Sequence, residues 1–185
     1  MRPSSFVRPV VFFALVAMTL GGVLAGSAIA ARAQDATPTG ELAANKALVL
    51  RYYDEVWNKG NLAAADETLT ADFVWYNPPP TPIFVGPAAV KKQAADLRTA
   101  WPDMVLTADD VIAEGDRVVA RWTIRATAQT ENGRAFPIVY TGIDIVRIEG
   151  GKMAELWQNT DDAGLDAQYA AAAAPGTPAA GSPTP

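Results

Sequence analysis

The chain contains no cysteine and no histidine. Without cysteine there are no disulfides, thiolate nucleophiles or iron–sulfur clusters, and no lipid can be attached through an N-terminal cysteine. Without histidine there is no Ser-His-Asp or Cys-His machinery, and zinc or non-haem iron sites lose their commonest ligand. Acid–base work therefore falls to carboxylates, Tyr, Lys or Arg-tuned water. Basic residues are also outnumbered, 15 Lys and Arg against 20 Asp and Glu. The formal charge of −5 becomes about −8 once the first 33 residues, which carry three Arg and no acid, are set aside. Such an acidic chain is a poor nucleic-acid binder, because phosphate binding is driven by clustered Lys and Arg.

What remains is one-domain material. Of 185 residues, 50% are apolar and 19% charged, inside the globular range. A core of roughly 130 residues buries about two-thirds of its unfolded surface and is stable without staples. Both ends read differently. Arg2 and Arg8 precede an apolar run from Val10 to Leu24, followed by the small-residue triplets Ala28-Ile29-Ala30 and Ala31-Arg32-Ala33. That pattern predicts a signal peptide over residues 1–33, cleaved after Ala33, with a secreted or extracytoplasmic product and no stable membrane anchor. The rival reading is an uncleaved anchor, since the stretch from Val10 to Ala31 is just long enough to span a bilayer. Residues 34–40 read as a linker, and residues 170–185 as a disordered Ala/Pro-rich tail.

Between the ends, Val49, Tyr52, Tyr53 and Val56 fall on one face of a helix from Glu41 to Asn58. Gly60 stops it, and Asn61 caps a shorter helix to about Leu69. Asp72 to Asn77 reads as a strand broken by Pro78, Pro79 and Pro80. Gly86-Pro87 opens a third helix whose stripe is Val90, Ala94, Leu97 and Trp101. Alternating segments then run from Asp103 to Asn159, with turns at Gly115-Asp116, Asn132-Gly133 and Gly150-Gly151. Asp161 or Asp162 caps a final helix from Ala163. Helices gathered on one antiparallel sheet make an α+β domain over residues 41–169.

The segments LVLRYYDEVWNKGNLAAADETLTADFVWYN, TADDVIAEGDRVVARWTIRATA and YTGIDIVRIEGGKMAELWQNTDD resemble the SnoaL-like polyketide cyclase and ester cyclase group. That group lies within the nuclear-transport-factor-2-like superfamily. The resemblance implies a cone-shaped fold, three N-terminal helices packed on a curved antiparallel sheet. It does not fix a function, because one fold hosts many activities.

Register supplies candidate site residues. If Asn132-Gly133 and Gly150-Gly151 are both two-residue turns, Arg121 faces Asp144 and Asp144 faces Trp157. One sheet face then gathers Arg121, Thr123, Arg125, Tyr140, Asp144, Trp157 and Asn159. The other gathers Ala120, Trp122, Ile124, Ile143, Ile145 and Leu156. In one reading the mixed face lines a pocket under the helices, and the apolar face pairs two subunits. In the other the apolar face packs the helices, and Arg121 and Asp144 form an exposed cross-strand pair. The resemblance favours the first, since cones of this type keep ligands on the concave face. The expected catalytic pair is Asp144 and Arg121, with Arg121 holding Asp144 ionised. Trp75, Tyr76 and Asn77 mark the pocket mouth, and Thr123, Tyr140, Trp157 and Asn159 complete the ligand contacts. Tyr52, Tyr53, Val56 and Trp101 read as core.

Relatives in this group tend to carry His at the end of the first strand and His-Trp-Asp or His-Trp-Asn near the last. Here those stretches read Trp75-Tyr76-Asn77 and Leu156-Trp157-Gln158. Against limonene-epoxide-hydrolase-like members, Arg121 matches, but the two aspartates fall on Thr123 and Asn159. Three functions stay open. The first is an exported pocket that binds a small, largely apolar molecule, with Arg121, Asn77 and Asn159 orienting its polar end. The second is a cofactor-free isomerase or cyclase using Asp144. The third is a non-enzymatic homodimeric module joined through Trp122, Ile124, Ile143 and Ile145.

Overall fold

The computed structural model describes residues 39–77 and 80–174. The expected signal peptide, most of the linker and the last residues of the tail lie outside these. Eleven elements follow one another: helix α1 (Thr39–Tyr52), a π-helical turn (Tyr53–Asn58), α2 (Ala64–Thr68), β1 (Leu69–Tyr76), β2 (Pro82–Val85), α3 (Gly86–Ala100), β3 (Val105–Glu114), β4 (Arg117–Gln129), β5 (Ala135–Glu149), β6 (Lys152–Thr160) and α4 (Asp162–Ala173). The strands form one open sheet in the order β2-β1-β6-β5-β4-β3. Its neighbours are antiparallel except β1 and β6, which run parallel. The α+β expectation stands, while the sheet is mixed rather than wholly antiparallel. Parallel neighbours need a long crossover, and α3 with the β3–β5 meander provides it.

Three boundaries differ from the sequence reading. The first helix starts at Thr39, inside the expected linker. Pro82–Val85 is an edge strand, and the edge is where a strand can start on proline without losing a ladder bond to the missing N–H. The last helix continues through Ala173 with Ala172 buried, so the ordered domain extends past Ala170. Asp161 is the cap of that helix, its carboxylate accepting from Gly164 N at 3.0 Å.

The π turn is fastened at its C-terminal end. Arg98 from α3 donates to the carbonyls of Trp57 and Asn58 at 2.9 and 2.6 Å. The Asn58 carboxamide then mimics a strand, donating to Leu106 O at 2.9 Å and accepting from Leu106 N at 2.7 Å. This docking turns Tyr53, Val56 and Trp57 inward, where all three are buried. A widened turn of this kind re-aims side chains that a regular helix would send elsewhere.

Register is where the structure departs most from the sequence reading. The β4–β5 loop has three residues, Glu131, Asn132 and Gly133, not two. Gly133 N donates to Thr130 O at 2.8 Å and Thr130 N to Arg134 O at 2.9 Å, with Gly133 at φ +80°. That is a type I turn closed by a left-handed glycine, the usual three-residue hairpin. Every β4–β5 pair therefore shifts by one, and Asp144 faces Ala120 while Arg121 faces Ile143. The β5–β6 hairpin does turn through Gly150 and Gly151, both with positive φ. A bulge follows at once: Ile148 pairs with Met153 but Arg147 with Glu155, and the neighbours Met153 and Ala154 are both buried. Beyond it Asp144 faces Gln158, not Trp157.

A one-residue slip exchanges faces. The helix-covered face therefore takes Ala120, Trp122 and Ile124 from β4, Tyr140, Gly142 and Asp144 from β5, and Leu156 and Gln158 from β6. The outer face takes Arg121, Thr123, Arg125, Ile143, Ile145, Trp157 and Asn159. Each of the two expected arrangements held for part of the sheet only.

Candidate active-site cavity

Helices and sheet enclose a cavity of about 280 Å³. Aromatic rings form much of its wall: Tyr52, Tyr53, Trp57, Trp75, Phe84, Trp101, Trp122 and Tyr140. Among the described residues, the only charged side chain in the lining is Asp144, and no Lys or Arg contributes to it.

Asp144 is buried, 2% exposed. Tyr53 OH donates to Oδ2 at 2.6 Å, and Gln158 Nε2 donates to Oδ1 at 3.1 Å. Gln158 is oriented in turn by Asn77, whose Nδ2 donates to Gln158 Oε1 at 3.2 Å. Burial pushes the Asp144 carboxyl above the usual carboxylate range, against the pull of these donors. The Trp122 indole also favours the charged form, though its Nε1 reaches no hydrogen bond of normal geometry. The sequence reading had Arg121 lowering this pKa. The slip removes that cation, and desolvation wins.

The two tyrosines beside Asp144 also titrate upward. Burial and the nearby carboxylate raise Tyr53, and burial chiefly raises Tyr52. Tyr140 is pushed up to about 12 by burial and by its 2.6 Å hydrogen bond to Asp162. All three are neutral donors at physiological pH.

Trp122 owes its position to Gly142, its cross-strand partner. A Cβ on Gly142 would lie 2.8 Å from Trp122 Cε2 and 2.9 Å from Asn159 O. The ring lies against bare β5 backbone, edge-on to Tyr140 at 5.6 Å between centroids. The glycine is required for space rather than for its φ.

Of the residues named from sequence, Trp75, Asn77, Tyr140 and Asp144 come together in the cavity wall. The others do not. Arg121 lies on the outer face and pairs with Asp109 at 3.1 Å, and Thr123 donates to the same carboxylate at 2.7 Å. Asp109 reaches both because a bulge sets it off the β3–β4 ladder. Tyr76 and Trp157 stack on each other outside, 6.0 Å apart and within 10° of parallel, with Arg117 over Trp157 at 5.2 Å. Asn159 is exposed there too. Arg121 is thus not a partner of Asp144, and Thr123, Tyr76, Trp157 and Asn159 are not cavity contacts. The reason in each case is the face exchange, or for Tyr76 simple strand alternation from Trp75. Trp122 and Ile124, expected on a subunit interface, are buried inside.

Tyr53, Trp122 and Gln158 are the site residues that sequence reasoning missed. Tyr53 shared a stripe with core residues, and nothing in its spacing marks a carboxylate partner. Among the described residues, no cluster of Asp and Glu is arranged to hold a metal ion.

The raised Asp144 pKa has a consequence for stability. An unfolded aspartate titrates near pH 4 and the folded one higher. Its stabilising contribution is therefore complete below the unfolded value and declines as pH rises through the folded one. Asp144→Asn removes this dependence. Urea melts from pH 4 to 8 are expected to show the wild type losing ground to Asp144→Asn as pH rises, by at most about 1.4 kcal/mol per pH unit. Parallel pH curves for the two proteins would refute a raised pKa.

A family model described as SnoaL-like domain matches residues 49–156. Among solved structures, one similar to this chain is a protein from Acidithiobacillus ferrooxidans classed as a polyketide cyclase. It is 26% identical, with a TM-score of 0.63 over 70% of this chain and 96% of its own. A SnoaL-like protein from Jannaschia sp. CCS1, also classed as a polyketide cyclase, shares the fold at 21% identity and a TM-score of 0.64 over 77% and 99%. So does an LEH-like epoxide hydrolase of M. tuberculosis, at 12% identity and a TM-score of 0.57 over 70% and 92%. No curated protein sequence matches at comparable significance. With the family model spanning more than half of its length, the chain belongs to the SnoaL-like domain family, on the nuclear-transport-factor-2-like fold.

Proposed function

We propose that this domain binds a small, largely apolar molecule in the aromatic cavity, and that Asp144 moves a proton on it without a cofactor. One observation carries the reading: a buried carboxyl with a raised pKa is the sole charge among the described residues of a wall rich in aromatic rings. Cleft residues whose pKa is displaced by desolvation are where acid–base chemistry concentrates. Relatives classed as polyketide cyclases are consistent with proton transfer next to a carbonyl. The Trp-rich wall suits a flat ring system.

The step is simple. One Asp144 oxygen takes a proton from carbon next to a carbonyl, the C–H electron pair moves into the C–C bond, and an enolate results. Return of a proton to the same or another carbon completes an exchange, an isomerisation or a ring closure. Tyr53 and Gln158 hold the carboxyl while it cycles.

The test is deuterium uptake by α-tetralone in deuterium oxide, comparing the wild type with Asp144→Asn. Uptake that needs Asp144, with binding retained in the variant, supports the reading. Equal uptake leaves binding alone, a second reading favoured because both Asp144 oxygens already accept hydrogen bonds from protein.

Export with loss of the first 33 residues belongs to the same proposal, as does pairing through the outer sheet face. Val119, Val139, Ile143 and Ile145 are exposed there, 37–46% each, and such apolar area favours burial against a partner. Sedimentation velocity at micromolar concentration is expected to show a dimer, and a monomer would overturn the pairing.

A further inference from the structure

A row of polar side chains crosses three neighbouring strands along the cavity wall. Tyr76 pairs with Trp157 in the parallel strands β1 and β6, which sets Asn77 beside Gln158, and Gln158 pairs in turn with Asp144 on β5. All three line the cavity. Hydrogen bonds run along the row. Asn77 Nδ2 donates to Gln158 Oε1 at 3.2 Å, and Gln158 Nε2 donates to Asp144 Oδ1 at 3.1 Å. On its other side Asn77 Nδ2 donates to Thr160 Oγ1 at 3.4 Å, and the Thr160 hydroxyl donates to Asp162 Oδ1 at 2.8 Å.

The direction of every bond follows from the two ends. A carboxylate only accepts, so Asp162 commits the Thr160 hydrogen and leaves that oxygen as an acceptor. Ionised Asp144 likewise only accepts, so Gln158 gives it the NH2 end and turns its carbonyl to Asn77. Asn77 thus meets an acceptor on either side and uses both hydrogens of one nitrogen. A reversed Gln158 carboxamide would set Nε2 against Asn77 Nδ2 and its oxygen against Asp144, two repulsive contacts.

We infer that Asn77 is a positioning residue for Asp144: without touching the carboxyl, it fixes the end of Gln158 that the carboxyl meets, and so decides whether Asp144 faces a donor or an acceptor. A donor there favours the charged form and eases return of a captured proton, against burial, which favours the neutral form. No second charge intervenes. Tyr52 and Tyr53 from α1 and the π turn, Trp122 from β4, Tyr140 from β5 and Gln158 from β6 face Asp144 or share its wall. Among the described residues, α3 and α4 bring no charged side chain to that wall. The consequence for rate rests on the proposed proton transfer, whereas the titration of Asp144 does not.

A pH titration of the full-length protein, read by NMR at the Asp144 carboxyl carbon and assigned with Asp144→Asn, tests it. Gln158→Met, which keeps the length and loses the donor, is expected to raise the midpoint by about one pH unit, the size of one hydrogen bond to a charged group. Asn77→Leu should raise it by about half a pH unit, because a released Gln158 presents either end. Beside Gln158→Met, Asn77→Leu should add no more than about 0.2 pH unit, as required of a residue that acts only through Gln158. Should Asn77→Leu fail to fold, Asn77→Asp takes its place. The new carboxylate has no hydrogen for Gln158, so a rise of about one pH unit or more is expected, at least halved once Gln158→Met is added. An Asn77→Leu midpoint within about 0.2 pH unit of wild type, or a rise that persists in full beside Gln158→Met, overturns the inference. The pH at which deuterium uptake by α-tetralone rises should move with the midpoint in each variant. Midpoints that shift as expected without wild-type uptake, or without a matching shift in its pH dependence, remove the proton-transfer reading and leave this inference standing.

Discussion

Asp144→Asn is expected to slow deuterium uptake by bound α-tetralone about a hundred- to ten-thousandfold, the range for loss of a positioned general base. The dissociation constant should stay within about threefold, since asparagine keeps the shape and one acceptor oxygen for Tyr53. A loss confined to turnover is the signature of a group that acts on the reacting atoms rather than on binding. The pH profile adds a second check. A base must be ionised to act, so wild-type uptake should rise with pH and level off above the Asp144 pKa. Burial places that rise above the range of a free carboxylate. The variant should show only a small, flat remainder. A wild-type profile that is already flat from pH 4 upward would be incompatible with Asp144 as the base.

The second large effect is predicted for a residue with no side chain. Gly142→Ala should destabilise the fold by about 3 kcal/mol, the upper part of the overpacking range. That corresponds to roughly 10 °C in melting temperature. The new Cβ would lie inside van der Waals contact of the Trp122 ring and 2.9 Å from the Asn159 carbonyl oxygen. The ring can swing away, but the β6 backbone cannot retreat without breaking its ladder with β5. Differential scanning calorimetry reads the loss directly. Any protein that still folds should hold Trp122 in a changed environment, visible as a displaced indole resonance. A melting temperature within about 2 °C of wild type would show that the close approach of Trp122 to the β5 backbone is not a constraint.

Sequence and structure agree on elements more than on faces. Helical stripes, the Gly86-Pro87 helix start and the Gly150-Gly151 turn depend on neighbours within a few residues, and local patterns report them well. The identity of Asp144 and Trp75 as pocket residues was likewise reachable, because both stand out chemically in their strands. Which way a β4 residue points depends instead on a single extra residue in the loop from Glu131 to Gly133. For the distal half of β6 it depends on the bulge near Ala154. Asn132-Gly133 serves a two-residue and a three-residue hairpin equally well, since a left-handed glycine closes either. A bulge leaves even less trace, two adjacent apolar residues in an alternating strand. Both slips move partners by one relative to β5, and so both bring the neighbours of Asp144 in error. The hydrogen bond from Tyr53 was beyond reach for another reason: it needs the π turn, which only the clasp of Asn58 on Leu106 makes visible.

The bulge near Ala154 also bears on how such a cavity changes over time. Substitutions along β6 alter one lining group at a time, while the strand keeps its inside and outside. Loss of the bulge with every residue kept, so that Arg147 paired with Ala154, would instead turn the far half of β6 over. Trp157 and Asn159 would then face inward, and Gln158, with its hold on Asp144, outward. The bulge at this one point works as a reading frame for the wall. Relatives that kept the residue but lost the bulge would present different chemistry to a ligand while keeping nearly every residue in common.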